Sequence, residues 1–137
     1  MKYILLFISS FIFTSLIDVV WHILLFGSIY QQRIKQVAPM VDGQLAIKSV
    51  PGLLSQVLVV SMLMVLINYQ RPELRLMDGL VVGAAAGVLA ITVYGLVNYA
   101  LIKNWTLDIT ILEVVWGPIL GGLSGLFMVW AKNLIFS

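Results

Sequence analysis

Asp18 and His22 stand one helical turn apart in "LIDVVWHILL", residues 16–25, inside an otherwise apolar run. At that spacing a carboxylate and an imidazole share one face of a helix. There they can exchange a proton or hold a polar group between them. A second carboxylate, Glu113, lies in "ILEVVWG" at 111–117, and Tyr94 and Asn98 make another i, i+4 pair in "VYGLVNY" at 93–99. An ionisable side chain in hydrocarbon costs a few kcal/mol at least, so it is expected to face the bundle interior or a wet cavity. If Asp18 and Glu113 meet, they share a proton and titrate as one unit, which suits proton coupling or general acid/base work. The alternative is that these groups only satisfy one another and fix helix register. For His22, one neighbouring Asp points to a hydrogen-bonded pair, and no metal or other cofactor is expected. Trp21 and Trp116 read either as packing and interfacial aromatics or as platforms on which a ligand stacks.

The elements that must position these residues follow from composition. The chain has 137 residues, 61% hydrophobic and 10% charged, with a mean hydropathy of +1.06. A soluble domain carries about a quarter charged residues, so this is an integral membrane protein. Its net charge of +2 comes from eight basic and six acidic residues spread along the chain. No basic cluster could follow a phosphate backbone, and nucleic acid is not an expected partner. The absence of cysteine excludes disulfides and thiolate chemistry. A single His excludes a bis-histidine haem within one chain.

Four apolar stretches are long enough to span a bilayer, which takes about 20 helical residues: 3–27, 53–69, 79–102 and 109–131. The expected fold is an all-α, up-down bundle of four transmembrane helices in a single domain, without a sheet. The first stretch begins like a signal peptide but is too long, carries Asp18 and lacks a cleavage signal, so it reads as a retained helix. Pro51 suits the first turn of the second helix, and "YQRPELR" stops it. Four crossings put both termini on one side of a cell membrane. Lys2, Arg71, Arg75 and Lys132 then oppose Arg33, Lys35, Lys48 and Lys103. The α-amino group tips this balance toward cytoplasmic termini, and so small a bias leaves dual insertion open.

In the connection at 28–52, Ile34, Val37, Val41 and Leu45 recur at helical spacing with Pro39 between them. A broken interfacial helix packed beside the polar site is expected; an ordinary solvated loop is the alternative. At 1.5 Å per residue, Asp18 and His22 lie roughly 14 and 8 Å from the Gly27 end of helix 1. Tyr94 and Asn98 lie about 12 and 6 Å from the Ile102 end of helix 3, and Glu113 and Trp116 about 6 and 10 Å from the Ile109 end of helix 4. All these ends face the side of the long connection. Asp18, His22, Tyr94, Asn98 and Glu113 are therefore expected in one partly wet pocket walled by Trp21 and Trp116. Gly117, Gly121 and Gly125 continue the Glu113 stripe, and Gly79, Gly83 and Gly87 form a second one. Small-residue stripes let helices approach closely in lipid, and a homo-oligomer could form through them. The segments "LIDVVWHILLFG" (16–27) and "ILEVVWGPILGG" (111–122) echo each other, as an inverted repeat would.

Several of these residues recur as a pattern. Helix 1 carries Asp18 and Trp21 three apart, "IYQQRIK" places Tyr30 before basic residues, and "VYGLVNYALIKNWTLDITILEVVWG" runs from 93 to 117. In these features, over nearly its whole length, the chain resembles the bacterial integral membrane proteins grouped as domain of unknown function 2177. Tyr94, Asn98, Trp105, Glu113, Trp116 and Gly117 match that family's signature, while Gly95 and Val97 stand where an Asp and a Thr are usual and Glu113 replaces an Asp. The resemblance implies an inner-membrane four-helix fold and adds Tyr30 and Trp105 to the candidate site. It implies no chemistry.

Three functions fit: binding or proton-coupled transport of a small hydrophobic molecule or lipid, with Asp18 and Glu113 as protonatable groups; a lipid-modifying membrane enzyme using Asp18, Glu113 and His22 as acid and base; and an accessory structural subunit that uses the glycine stripes. Binding or transport is the leading expectation. Membrane lipid and a small hydrophobic ligand are the expected partners.

Overall fold

A computed structural model describes residues 1–46, 48–70 and 75–137, with the side chains of 44, 45, 69 and 70 left aside. The segment around Arg71 and Pro72 that was expected to end the second helix lies outside the described residues, and so does the side chain of Leu45. Helix α1 (Lys2–Val19) runs into a π-helical segment, Val20–Leu25, and after Phe26 a short α2 follows (Gly27–Ile34). Helix α3 is Ser49–Gln70. Helix α4 (Leu76–Gly87) continues through a second π-helical segment, Val88–Thr92, into α5 (Val93–Leu101), and α6 is Leu107–Phe136. Four helical rods are thus long and apolar enough to cross a membrane: Lys2–Leu25, Ser49–Asn68, Leu76–Leu101 and Leu107–Phe136. The protein is all-α and multi-pass. Each rod buries only part of its surface and leaves rows of Leu, Ile and Val outward, as helices facing lipid must.

The centre of the bundle is the pairing of α4 with α6. A Cβ built on Gly79 would come within 2.6 Å of the Gly125 carbonyl oxygen, and one on Gly87 would collide with the Gly117 carbonyl oxygen. Glycine is required there because backbone meets backbone. Both glycine stripes therefore pack against each other inside one chain. Beside this pairing, Leu6, Val60, Leu63, Ile67, Met128 and Val129 form a dry core toward the end that holds the termini. Midway, the Thr14 hydroxyl donates to Ser124 Oγ at 2.9 Å, tying α1 to α6.

Pro118 lies inside α6 and has no N–H for the Val114 carbonyl. The Thr92 hydroxyl donates to that oxygen at 3.2 Å. A bilayer core offers no water for such a freed group, so a neighbouring helix must satisfy it.

The connection after α1 departs from the expected broken helix. Its helical part ends at Ile34, and Met40–Val41 pairs antiparallel with Gln44–Leu45 across a two-residue turn. Asp42 and Gly43 both take positive φ, 51° and 77°, the geometry for which Asp-Gly is favoured in a tight hairpin. The turn chemistry of "DG" outweighs the helical spacing of the apolar residues. This two-residue ladder is the only strand pairing among the described residues. The amide of Gln31 donates to the Gly43 carbonyl at 3.2 Å and ties the hairpin to α2.

Candidate functional site

The dry core gives way, toward the α2 end of the bundle, to a partly open cavity of about 600 Å³. Helix α3 packs mainly on α1, and the cavity lies between α3 and the α4–α5 rod. From α1 it receives Asp18, from the π-helical segment after it His22, from α2 Tyr30 and Ile34, and from α6 Glu113, Trp116 and Leu120. Helix α3 lends Gly52, Ser55, Gln56 and Val59; the α4–α5 rod adds Ala90, Ile91 and Tyr94, and Trp105 closes one end. Its volume is within the range of cavities that hold small ligands, roughly 300–1,000 Å³.

Asp18 is the hub of the polar wall. Its Oδ1 accepts from the Trp116 indole N–H at 2.9 Å, and its Oδ2 from the Gln56 amide at 2.9 Å. His22 Nδ1 lies 3.1 Å from Asp18 Oδ1 and also 3.1 Å from the Asp18 carbonyl oxygen. A carbonyl only accepts, so Nδ1 carries a proton. On the other edge of the ring, Nε2 stands 3.6 Å from Glu113 Oε1, too far for a direct hydrogen bond. The Tyr30 hydroxyl donates to that same Oε1 at 2.8 Å. The result is a relay of carboxyl, imidazole, carboxyl and phenol drawn from α1, α6 and α2. Asp18 and Glu113 occupy opposite edges of one imidazole rather than surrounding a common point, and among the described residues no group of three or more His, Asp or Glu could hold a metal ion.

Tyr30 is buried to 7% exposure. Burial, and then the adjacent Glu113 carboxylate, raise its phenol pKa well above the ordinary 10. It therefore remains a donor at neutral and moderately alkaline pH. The π-helical segment that carries His22 is closed by the Phe26 N–H donating to the Trp21 carbonyl at 3.0 Å. Such segments re-aim side chains locally and recur at functional sites. No feature of the apolar sequence around 20–25 announced it.

Of the residues singled out from sequence, Asp18, His22, Tyr30, Tyr94, Trp105, Glu113 and Trp116 line this cavity. Trp21 and Asn98 do not. Trp21 stacks behind Trp116, with ring centroids 4.4 Å apart and planes within 10°, and its other face meets Phe26 at 4.4 Å. The two tryptophans of the internal echo thus touch, but unequally: Trp116 donates to Asp18, while Trp21 Nε1 has no partner. Asn98 sits outside the lining, and its Nδ2 also lacks a partner. Ile34 lines the cavity, whereas Val41 is 61% exposed, so α2 covers the site and the hairpin does not. Gln56 went unnoticed in the sequence although a lone amide in "LLSQVLVVSM" was a visible signal.

Gly95 also gains a physical reason. A Cβ at this position would come 2.8 Å from Glu113 Cβ. The Glu113 Cβ on α6 occupies the space that a side chain at 95 would need.

A family model described as "Predicted membrane protein (DUF2177)" matches residues 3–130. No curated protein and no solved structure matches the chain. With nearly its whole length covered by that model, and four membrane-length helices in its fold, the chain belongs to the predicted membrane protein family DUF2177.

Proposed function

We propose that this protein binds a small hydrophobic molecule or a lipid within the bilayer and couples that binding to a proton. The observation that carries this reading is a single cavity of about 600 Å³ joining Asp18, His22 and Glu113 at one wall to Val59, Ile91 and Leu120 at another. Bundle packing alone calls for no such space. Groups that only fix helix register are best sealed against one another, as Thr14 and Ser124 are. The Asp18–His22–Glu113–Tyr30 row sets donors and acceptors side by side, so a proton can be passed along it when an occupant arrives. The cavity is partly open, so an apolar molecule need not unfold the bundle to enter it.

Native mass spectrometry of gently extracted protein tests the reading. A bound lipid or small molecule is expected on the wild type, with a retained fraction that changes with pH. Asp18→Asn keeps the shape and removes the titrating charge, so retention or its pH dependence is expected to shift. A wild type that carries nothing at any pH, or an Asp18→Asn protein identical to it in both respects, would overturn the proposal. Release of a chemically altered occupant would instead favour acid/base catalysis by the same groups.

A further inference from the structure

We infer that the preferred occupant is a lipophilic amine, held as an ammonium ion at Glu113 with its apolar body along Val59, Ile91 and Leu120. This rests on the binding reading above and adds the sign of the ligand's charge. Two carboxyl groups and one imidazole line the cavity, and among the described residues no Lys or Arg does. The nearby Arg33 is engaged elsewhere, its Nε 2.7 Å from Asp108 Oδ2. An anionic head would meet two carboxyl groups, and the one group there able to carry positive charge, His22, is already held between them. An ammonium meets the opposite charge, and the cost of a carboxylate at membrane depth falls when it is paired.

The vacant hydrogen-bonding positions select the same chemistry. Both oxygens of Asp18 are occupied, by Trp116 and Gln56. Glu113 receives Tyr30 on Oε1 alone, so Oε2 is the acceptor left for a ligand among the described bonds. Gln56 brings a second acceptor, since its Oε1 is buried without a partner. Aromatic rings of Tyr94, Trp105 and Trp116 border the same space, and such faces attract an ammonium within about 6 Å.

Binding of decylamine, decanol and decanoate to the wild type in dodecyl maltoside micelles at pH 7 separates the cases, read by native mass spectrometry. The three probes share one apolar body and differ in head charge. Decylamine is expected to bind at least tenfold more tightly than decanol, with decanoate weakest. In Glu113→Gln, which keeps an acceptor for Tyr30, the preference for decylamine is expected to fall to within about threefold of decanol. If that variant does not fold, the wild-type series alone decides. Equal binding of all three, or tighter binding of decanol or decanoate, overturns this inference and leaves the binding reading intact. Binding of none of them overturns both. Phosphatidylethanolamine added to the micelles identifies the source of the amine: if it displaces decylamine the natural head is a lipid's, and if it does not the ligand is a free amine.

Discussion

The Trp116 indole donates to Asp18 Oδ1 at 2.9 Å across 98 residues of sequence, while its ring lies flat on Trp21. Both contacts bind the first rod to α6 at the level of the cavity, so the hub carboxylate is fixed where the first and last spans meet. Trp116→Phe keeps an aromatic ring against Trp21 but removes the donor and part of the stacked surface. It is expected to lower stability by about 1–3 kcal/mol, the usual cost of leaving a buried polar group short of a partner. Thermal unfolding in detergent measures it.

Tyr30→Phe removes the one hydroxyl that α2 gives to Glu113, and a similar loss of about 1–3 kcal/mol is expected. Arg33→Ala breaks a more exposed link between the same two helices, the Arg33–Asp108 pair, and should cost under about 1 kcal/mol. Parallel unfolding of the two variants checks the order. A larger loss for Arg33→Ala would mean that α2 is held from outside the bundle rather than through the site.

The Tyr30 phenol also predicts an alkaline limit. Its pKa in the fold is raised above the unfolded value of 10. The stability it contributes is therefore complete below pH 10 and declines as pH climbs above that value toward the folded pKa, because the unfolded chain releases the proton first. The stability gap between wild type and Tyr30→Phe should narrow above pH 10, by up to about 1.4 kcal/mol per pH unit. Unfolding of both proteins at pH 8 and pH 11 reads the effect.

Gly95→Ala pushes a methyl group toward Glu113 Cβ. A loss of about 1–3 kcal/mol from overpacking is expected, together with an altered pH dependence of ligand retention because Glu113 must move. Gly83→Val is more severe. Its side chain would run into the Gly121 backbone on α6, and no rotamer change relieves a backbone clash, so loss of folded protein in size-exclusion chromatography is the expected outcome.

Much of this was legible in the sequence, for physical reasons. Hydrocarbon thickness and apolar run length fix the number of crossings, and rise per residue fixes the level along each helix, which is why Asp18, His22, Tyr94 and Glu113, which line one cavity, could be grouped from sequence. The glycine stripes announced close packing but not their partner; intrachain and interchain pairing leave the same pattern. Lateral arrangement was invisible too. Nothing local says that Gln56 on α3 would reach Asp18, that Trp21 would lie behind Trp116, or that Asn98 would sit outside the lining. The hairpin was misread because apolar spacing was weighed above "DG", and the π-helical segments carry no signature in "VVWHILL" or "VLAIT".

The measurement that tests the central claim most directly is thiol accessibility on the two rods that flank the cavity, in a chain with no native cysteine to interfere. Val59 and Ile91 line the cavity, whereas Leu89, close to Ile91 in depth, is 71% exposed on the outer surface of its helix. With the protein in lipid bilayers, Val59→Cys and Ile91→Cys are expected to react with a small water-soluble methanethiosulfonate, and Leu89→Cys is not. Labelling of Leu89→Cys alone, or of none of the three, would contradict a water-accessible cavity around Asp18 and Glu113.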